Sequence, residues 1–323
     1  MIVTSIRRLV DNAGRQKWRD FSTIKQVGVV GLGLMGHGVA QVTAMVPEYS
    51  VVAIDGSQHA IESGRKRIDQ SVSKILKRKM KKGALSEEDA AVQKDGIMSR
   101  VSFSSDVSAL ANCDLVIEAI TENPEIKLPL FKDLAQITPP SCILASNTSS
   151  LSIMEMAVAS GRPSHVVGLH FFNPVQVMKL VEVVQCEVTD SSVFEECKSW
   201  VQSIGKHPVS CVDTPGFIVN RLLVPALAQA MLMYERGHGS VEDIDQSMEL
   251  GAGHPMGPLT LADYVGLDTC LSILDGWVHK FPDEPSFVVP GCLREKVAAG
   301  KLGRKVGEGF YIWDGDKRTH VAP

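Results

Sequence analysis

No stretch of this 323-residue chain approaches the ~20 consecutive apolar residues that a membrane-crossing helix needs, so no membrane span is expected. Positive charge is scarce too. Lysine and arginine number 33 against 37 acidic residues, a formal net charge of −4. That leaves no overall basic field to draw in phosphates, and no nucleic-acid partner is expected. Cysteine occurs seven times, at 113, 142, 186, 197, 211, 270 and 292, but never as C-x-x-C. Such an odd, scattered set reads as reduced, mostly buried thiols of an intracellular compartment rather than a disulfide framework or a metal site. Internal repeats and low-complexity tracts are missing as well.

What the chain does have is length and apolar material. A hydrophobic content of 44% supplies a core, and 323 residues exceed what one ordinary core holds, so two domains are expected. Residues 1–22 stand apart: Arg7, Arg8, Arg15, Lys17 and Arg19 face only Asp11 and Asp20, and Ile2, Val3, Ile6, Leu9 and Val10 can share a helical face. That basic, amphipathic pattern, with Arg19-Asp20-Phe21-Ser22 resembling a processing site, is expected of a transit peptide to the mitochondrial matrix. The alternative is a solvated N-terminal helix on a cytoplasmic protein.

From Gln26 onward, short β-branched runs alternate with helical periodicity, the pattern of a parallel sheet with crossover helices. The spacing predicts strands over 27–30, 51–54, 101–103, 115–118, 143–145 and 166–170, with 177–184 and 208–212 as antiparallel edges. Helices are predicted over 34–46, 57–82, 124–137, 150–158 and 191–203. The pattern changes at Asp213-Thr214-Pro215-Gly216, where Asp213 or Thr214 can cap a helix with Pro215 at its first position. Helices then fit 215–236, 241–250, 258–263, 267–280 and 292–299. The expected fold is α/β: a Rossmann-type doubly wound sheet domain over 23–212, then an all-helical domain over 213–323. Because Phe217–Val224 is apolar around most of its helix, burial on all sides is expected there.

Gly31-Leu32-Gly33-Leu34-Met35-Gly36 is a G-x-G-x-x-G set between a strand and an amphipathic helix. Gly31 permits the tight turn, Gly33 lets backbone approach a pyrophosphate, and Gly36 lets the helix pack closely. Asp55 ends the next strand, where a carboxylate accepts both ribose hydroxyls and repels a 2′-phosphate, so NAD is expected rather than NADP. The alternative for Asp55 is a helix cap. The following helix is rich in cations, Arg78 among them, which is a solvated face or a seat for a second anionic ligand such as coenzyme A. Glu122-Asn123 and Ser146–Ser150 follow strands and so belong at the carboxyl ends where ligands lie, unless they only cap helices.

The sharpest signal is His170, at the end of an apolar run, followed twelve residues later by Glu182, a lone carboxylate within Met178–Val184. An isolated buried glutamate is costly without a partner, and consecutive strands usually neighbour. Such a carboxylate fixes the imidazole tautomer and leaves the other ring nitrogen as a general base. The alternative is a satisfied core histidine.

With these pieces placed, the chain resembles the short-chain L-3-hydroxyacyl-CoA dehydrogenases from about Ile24 to Trp313. Ala145–Ser150, Gly168–Pro174, Met178–Glu182, Asp213–Arg221 and Gly307–Tyr311 carry the likeness. It implies His170 as base and Glu182 as its partner, with Ser149 and Asn220 positioning substrate. Gly31, Gly33, Leu34, Met35, Gly36, Asp55, Glu122, Lys127, Ser149, Asn173 and Lys305 match NAD contacts. Ser71, Arg78, Lys127 and Ser149 match positions that meet the coenzyme A of an acyl-CoA thioester substrate or the join between the two ligands. A homodimer through the helical domain is implied too. Two departures stand out. Pro129 predicts a kink or a late start in the helix carrying Lys127. His37 stands where the family has a small residue, so it either tunes NAD affinity or points to solvent. The rivals are a β-hydroxyacid dehydrogenase acting on free acids, and a non-catalytic NAD-binding structural protein of the same fold.

Overall fold

The computed structural model describes residues 23–322, so the transit-peptide expectation for 1–22 lies outside the described residues. The chain divides into two compact units, which meet in sequence at Phe217 and Ile218.

The first unit is built on one eight-stranded sheet: β1 (Gln26–Val30), β2 (Ser50–Ile54), β3 (Val101–Ser104), β4 (Leu115–Glu118), β5 (Ile143–Ser146), β6 (Val166–Phe171), β7 (Leu180–Gln185) and β8 (His207–Val212). They lie in the order β3-β2-β1-β4-β5-β6-β7-β8. Strands β1 to β6 are parallel; β7 runs antiparallel to β6, and β8 is parallel to β7. The jump from β3 back to β4 reverses the strand order beside β1, which opens a crevice at the carboxyl ends.

Side-chain alternation along the strands divides the core between two faces. Val29, Ala53, Leu115, Ile117 and Leu169 pack with residues of α1 (Gly36–Ala44), α2 (Gln58–Lys81), α3 (Glu87–Ser99) and α6 (Ser191–Ser203). Val30, Ile54, Val116 and Leu144 pack with those of α4 (Pro124–Ile137) and α5 (Ile153–Ser160). Helix α3 has no counterpart in the sequence reading. Only Ala90 and Ile97 are buried along its 13 residues, too few for a visible period, and Ser86 caps it by accepting from the Asp89 amide.

The second unit comprises α7 (Val219–Glu235), α8 (Val241–Gln246), α9 (Pro258–Val265), α10 (Leu267–Lys280) and α11 (Gly291–Ala298). It ends in a hairpin of β9 (Tyr311–Asp314) and β10 (Lys317–Val321), which the periodicity did not signal because four of the five β10 residues are exposed. Helix α7 starts four residues later than expected. Gly216 and Phe217 take positive φ values of 74° and 54°, which no helix accepts, so Pro215 is not its first residue. Asp213 instead accepts from Met154 N and Ser152 Oγ, both at 2.9 Å, at the start of α5. Nor is α7 buried all round: Val224, Leu227, Ala228 and Met231 are buried, whereas Leu222 is 70% exposed.

Candidate active site

The turn from β1 into α1 is shaped by what its glycines lack. Gly31 has φ +96°, and a Cβ there would sit 2.6 Å from the Ala119 carbonyl; a Cβ on Gly36 would fall 1.7 Å from the Gly31 carbonyl. A Cβ built on Gly33 would meet nothing within 4 Å, so that side of the backbone faces open space. Leu34 beside it is 61% exposed, and Met35, the N-cap of α1, makes no side-chain capping bond. Free amides at a helix start with open backbone beside them suit a diphosphate. Asp55 holds the loop by accepting from Leu32 N (2.9 Å) and from Ser57 N (3.0 Å), while Ser57 itself caps α2. His37 does not point to solvent: its Nδ1 meets the Gly33 carbonyl at 2.7 Å. Burial pushes its pKa below the usual imidazole value, with Arg67 acting in the same direction and the Gly33 contact opposing. A carbonyl only accepts, so Nδ1–H is the donor.

His170 and Glu182 are register partners across the antiparallel β6–β7 pair, which puts both side chains on one face. Nδ1 of His170 lies 2.7 Å from Glu182 Oε2; the carboxylate is fully buried and the histidine nearly so. Nδ1 therefore donates and Nε2 is left to accept. Phe172 and Phe217 pack on the ring at centroid distances of 4.4 and 5.7 Å. Phe171 N donates to Asn147 Oδ1 at 2.9 Å, which ties the histidine strand to the loop after β5.

That loop belongs to a second polar cluster. Glu122, in the loop after β4, accepts from Thr148 Oγ1 (2.9 Å), Ser149 N (2.6 Å) and Ser149 Oγ (3.1 Å). Lys127 Nζ stands between Glu118 Oε1 at 2.7 Å and Glu122 Oε2 at 3.0 Å. Burial alone raises a carboxyl pKa, but the Lys127 ammonium and the bonds from Ser149 and Thr148 outweigh it and hold Glu122 below the usual range. The structure thus brings Glu122, Lys127 and Ser149 together. Pro129 sits inside α4 without delaying it. The helix starts at Pro124, capped by Asn123 through the Glu125 amide, and Lys127 falls in its first turn.

The other expected site residues stand on different elements. Asn173 is exposed in the loop after β6, where Lys206 Nζ donates to the carbonyls of Val175 and of Met178 (2.6 Å) and delays β7 to Leu180. Ser71 and Arg78 are both on α2. An open cavity of about 510 Å³ along that helix is lined by Asp69, Gln70, Ser73, Lys74, Lys77, Arg78 and Lys81, without Ser71. Lys94 meets Asp69 at 2.7 Å, so the carboxylate there is already countered and the cavity is cationic. Asn220 and Lys305 belong to the second unit. Asn220 is in the first turn of α7, and Lys305 Nζ is bound by both carboxylate oxygens of Asp268 at 2.6 Å.

Family models match nearly all of the described chain: 3-hydroxyacyl-CoA dehydrogenase, NAD binding domain, over residues 26–214, and 3-hydroxyacyl-CoA dehydrogenase, C-terminal domain, over 216–313. The chain belongs to the 3-hydroxyacyl-CoA dehydrogenase family. It is 47% identical over 289 residues to the human protein named hydroxyacyl-coenzyme A dehydrogenase, mitochondrial, covering 89% of this chain and 91% of the relative. A Caenorhabditis elegans protein named probable 3-hydroxyacyl-CoA dehydrogenase is 44% identical, covering 90% of this chain and 93% of the relative. Among solved structures, (S)-3-hydroxybutyryl-CoA dehydrogenase from Ralstonia eutropha superposes with a TM-score of 0.84 at 39% identity, covering 90% of this chain and all of that one.

The NAD-binding domain of this family member fits its cofactor on the features already described: open backbone at Gly33, an uncapped α1 start and a carboxylate at Asp55. The residue that sequence reasoning passed over is Glu118. It closes an apolar strand just as Glu182 interrupts one, and it is equally buried. The rule that singled out Glu182 points to it as well.

Proposed function

We propose that this NAD-dependent oxidoreductase interconverts L-3-hydroxyacyl-CoA and 3-ketoacyl-CoA, with His170 as general base. The observation that carries the reading is the 2.7 Å contact between His170 Nδ1 and buried Glu182, which leaves Nε2 to take the C3 hydroxyl proton. Glu182 keeps the ring oriented and remains paired with the imidazolium as it forms, an interaction worth more in a dry site than in water. Bound NAD supplies the hydride acceptor. Gly31, Gly33, Leu34, Met35 and Gly36 would hold its diphosphate and Asp55 its adenosine ribose, with Glu122, Asn173 and Lys305 as further contacts and buried Lys127 acting through Glu122. Ser149 and Asn220 orient the substrate oxygen. In the reverse direction His170 returns the proton to the C3 oxygen.

The coenzyme A handle fits the cationic cavity on α2, where Arg78 stands with Lys74, Lys77 and Lys81. A homodimer is supported by the exposed apolar positions Leu222 and Leu250 in the helical unit. A mitochondrial location is supported by the names of the mammalian relatives. NADH consumption with acetoacetyl-CoA and with free acetoacetate, compared at equal concentration, tests the reading. Turnover that requires the thioester is expected. Equal turnover of both points to a free-acid dehydrogenase, and none with either to a structural NAD-binding protein.

A further inference from the structure

Glu118 closes β4 beside the strand reversal, paired in register with Val30 of β1 and Ser146 of β5. Leu115 and Ile117 face one side of the sheet, so Val116 and Glu118 face the other, toward α4. Every part of the carboxylate is engaged. Oε1 accepts from Ile120 N and Lys127 Nζ, both at 2.7 Å, and Oε2 accepts from Ser146 Oγ at 2.6 Å. Glu118 is 0% and Lys127 1% exposed. Burying two full charges is costly, and well-packed apolar side chains commonly fill such space with equal or better stability. Structural economy therefore does not account for the pair.

Charge does. Glu118, Lys127 and Glu122 form a row of negative, positive and negative groups whose sum is −1. With Glu118 present, Glu122 shares the lysine with a second carboxylate, so the row keeps one net negative charge, and its more exposed member is Glu122, with a side chain 40% exposed. Without Glu118, the same ammonium would neutralise Glu122 alone. The oxidised nicotinamide ring bears one positive charge and the reduced ring none, so a local negative charge favours the oxidised form.

We propose that Glu118 is a positioning residue: it takes up the charge of Lys127 so that Glu122 stays net negative, and thereby sets the relative affinity for NAD+ and NADH. The inference rests on the proposed seating of NAD at the carboxyl ends of the strands.

The test is the ratio of dissociation constants, Kd(NAD+)/Kd(NADH), measured by fluorescence titration of the full chain without acyl substrate. The charge sum is 0 in Glu118→Gln, −2 in Lys127→Gln, and −1 again in the double variant. The ratio is expected to rise about fivefold to tenfold in Glu118→Gln and to fall by a similar factor in Lys127→Gln. The double variant is expected to return within about twofold of wild type. A purely structural contact shifts both constants alike and leaves the ratio fixed. An unchanged ratio in the single variants, or a double variant as displaced as Glu118→Gln, overturns the proposal. Should Glu118→Gln not fold, Lys127→Gln and the double variant still differ by one charge, and equal ratios in those two overturn it. Wild-type protein that binds both cofactor forms but ignores acetoacetyl-CoA would sink the substrate assignment and leave this result standing.

Discussion

Buried carboxylates serve the two units in different ways. In the sheet unit, Glu182 and Glu118 each meet a cationic or titratable side chain, His170 and Lys127, at the carboxyl ends of strands. In the helical unit, Asp263 accepts from Phe310 N, Tyr311 N and Trp313 Nε1, and Asp245 from Leu259 N, Thr260 N, Thr260 Oγ1 and the Tyr311 hydroxyl. These two tie α9 and the terminal hairpin together. A carboxylate answered by backbone amides, an indole and a phenol satisfies orphaned donors and holds architecture. One answered by an imidazole or an ammonium keeps a charge or a proton in play. Asp245 also has Arg318 Nη1 at 3.5 Å, farther off than any of its four donors. The closest partner of the acid, more than the depth of its burial, therefore separates chemistry from scaffolding here.

Substitutions can break this contrast. The largest effect is expected from His170→Gln and Glu182→Gln: turnover of acetoacetyl-CoA should fall ~10²–10⁴-fold with NADH affinity largely kept, read by steady-state kinetics and fluorescence titration. Near-normal turnover in either would place Glu182 among the architectural acids. Asp263→Ala should act on the fold, because it strands three donors; a loss on the order of 3–6 kcal/mol in denaturant unfolding is expected. Burial raises the Asp263 pKa in spite of those donors, so its share of the stability is complete at low pH and declines as pH rises through the folded value.

Arg78→Glu should raise KM for acetoacetyl-CoA about tenfold, less so at high salt, with kcat nearly unchanged. A salt-independent KM would remove the cavity on α2 from the substrate path. The smallest effect concerns Glu284, a half-buried acid bound by Ser286 and by Arg221 at 2.6 Å, which bring its pKa to about 2. A depressed folded value stabilises above the ordinary 4.5 and is lost as pH falls toward about 2. Glu284→Gln should therefore lower Tm by a few degrees at pH 7, and the difference should shrink steadily below pH 4.5.

Much of this was readable in the sequence, because the sheet unit writes its strands in β-branched runs and its crevice in glycines. Glu182 stood out as a charge inside an apolar run, and its distance from His170 matched the register of a hairpin. Glu118 obeyed the same rule yet was hidden, since a residue closing a strand is also where the chain is expected to turn polar. Helix α3 and strand β10 were illegible for the opposite reason: both are mostly exposed, so neither carries a burial period, and the alternation of β9 spans only four residues. The start of α7 misled because Pro215 is an excellent first helical residue. Only backbone dihedrals reveal that Gly216 and Phe217 break the run before Val219. Lys127 looked disturbed by Pro129, but the Asn123 cap and Pro124 set the helix before the second proline intervenes.

The central claim is that Nε2 of His170 is the proton acceptor and Glu182 its permanent partner on Nδ1. A crystal structure of the complex with NAD and acetoacetyl-CoA tests it most directly. Nε2 is expected about 2.6–3.2 Å from the substrate C3 oxygen with the Glu182 contact intact. A C3 oxygen bound by a lysine, or a histidine turned away from it, would contradict the account.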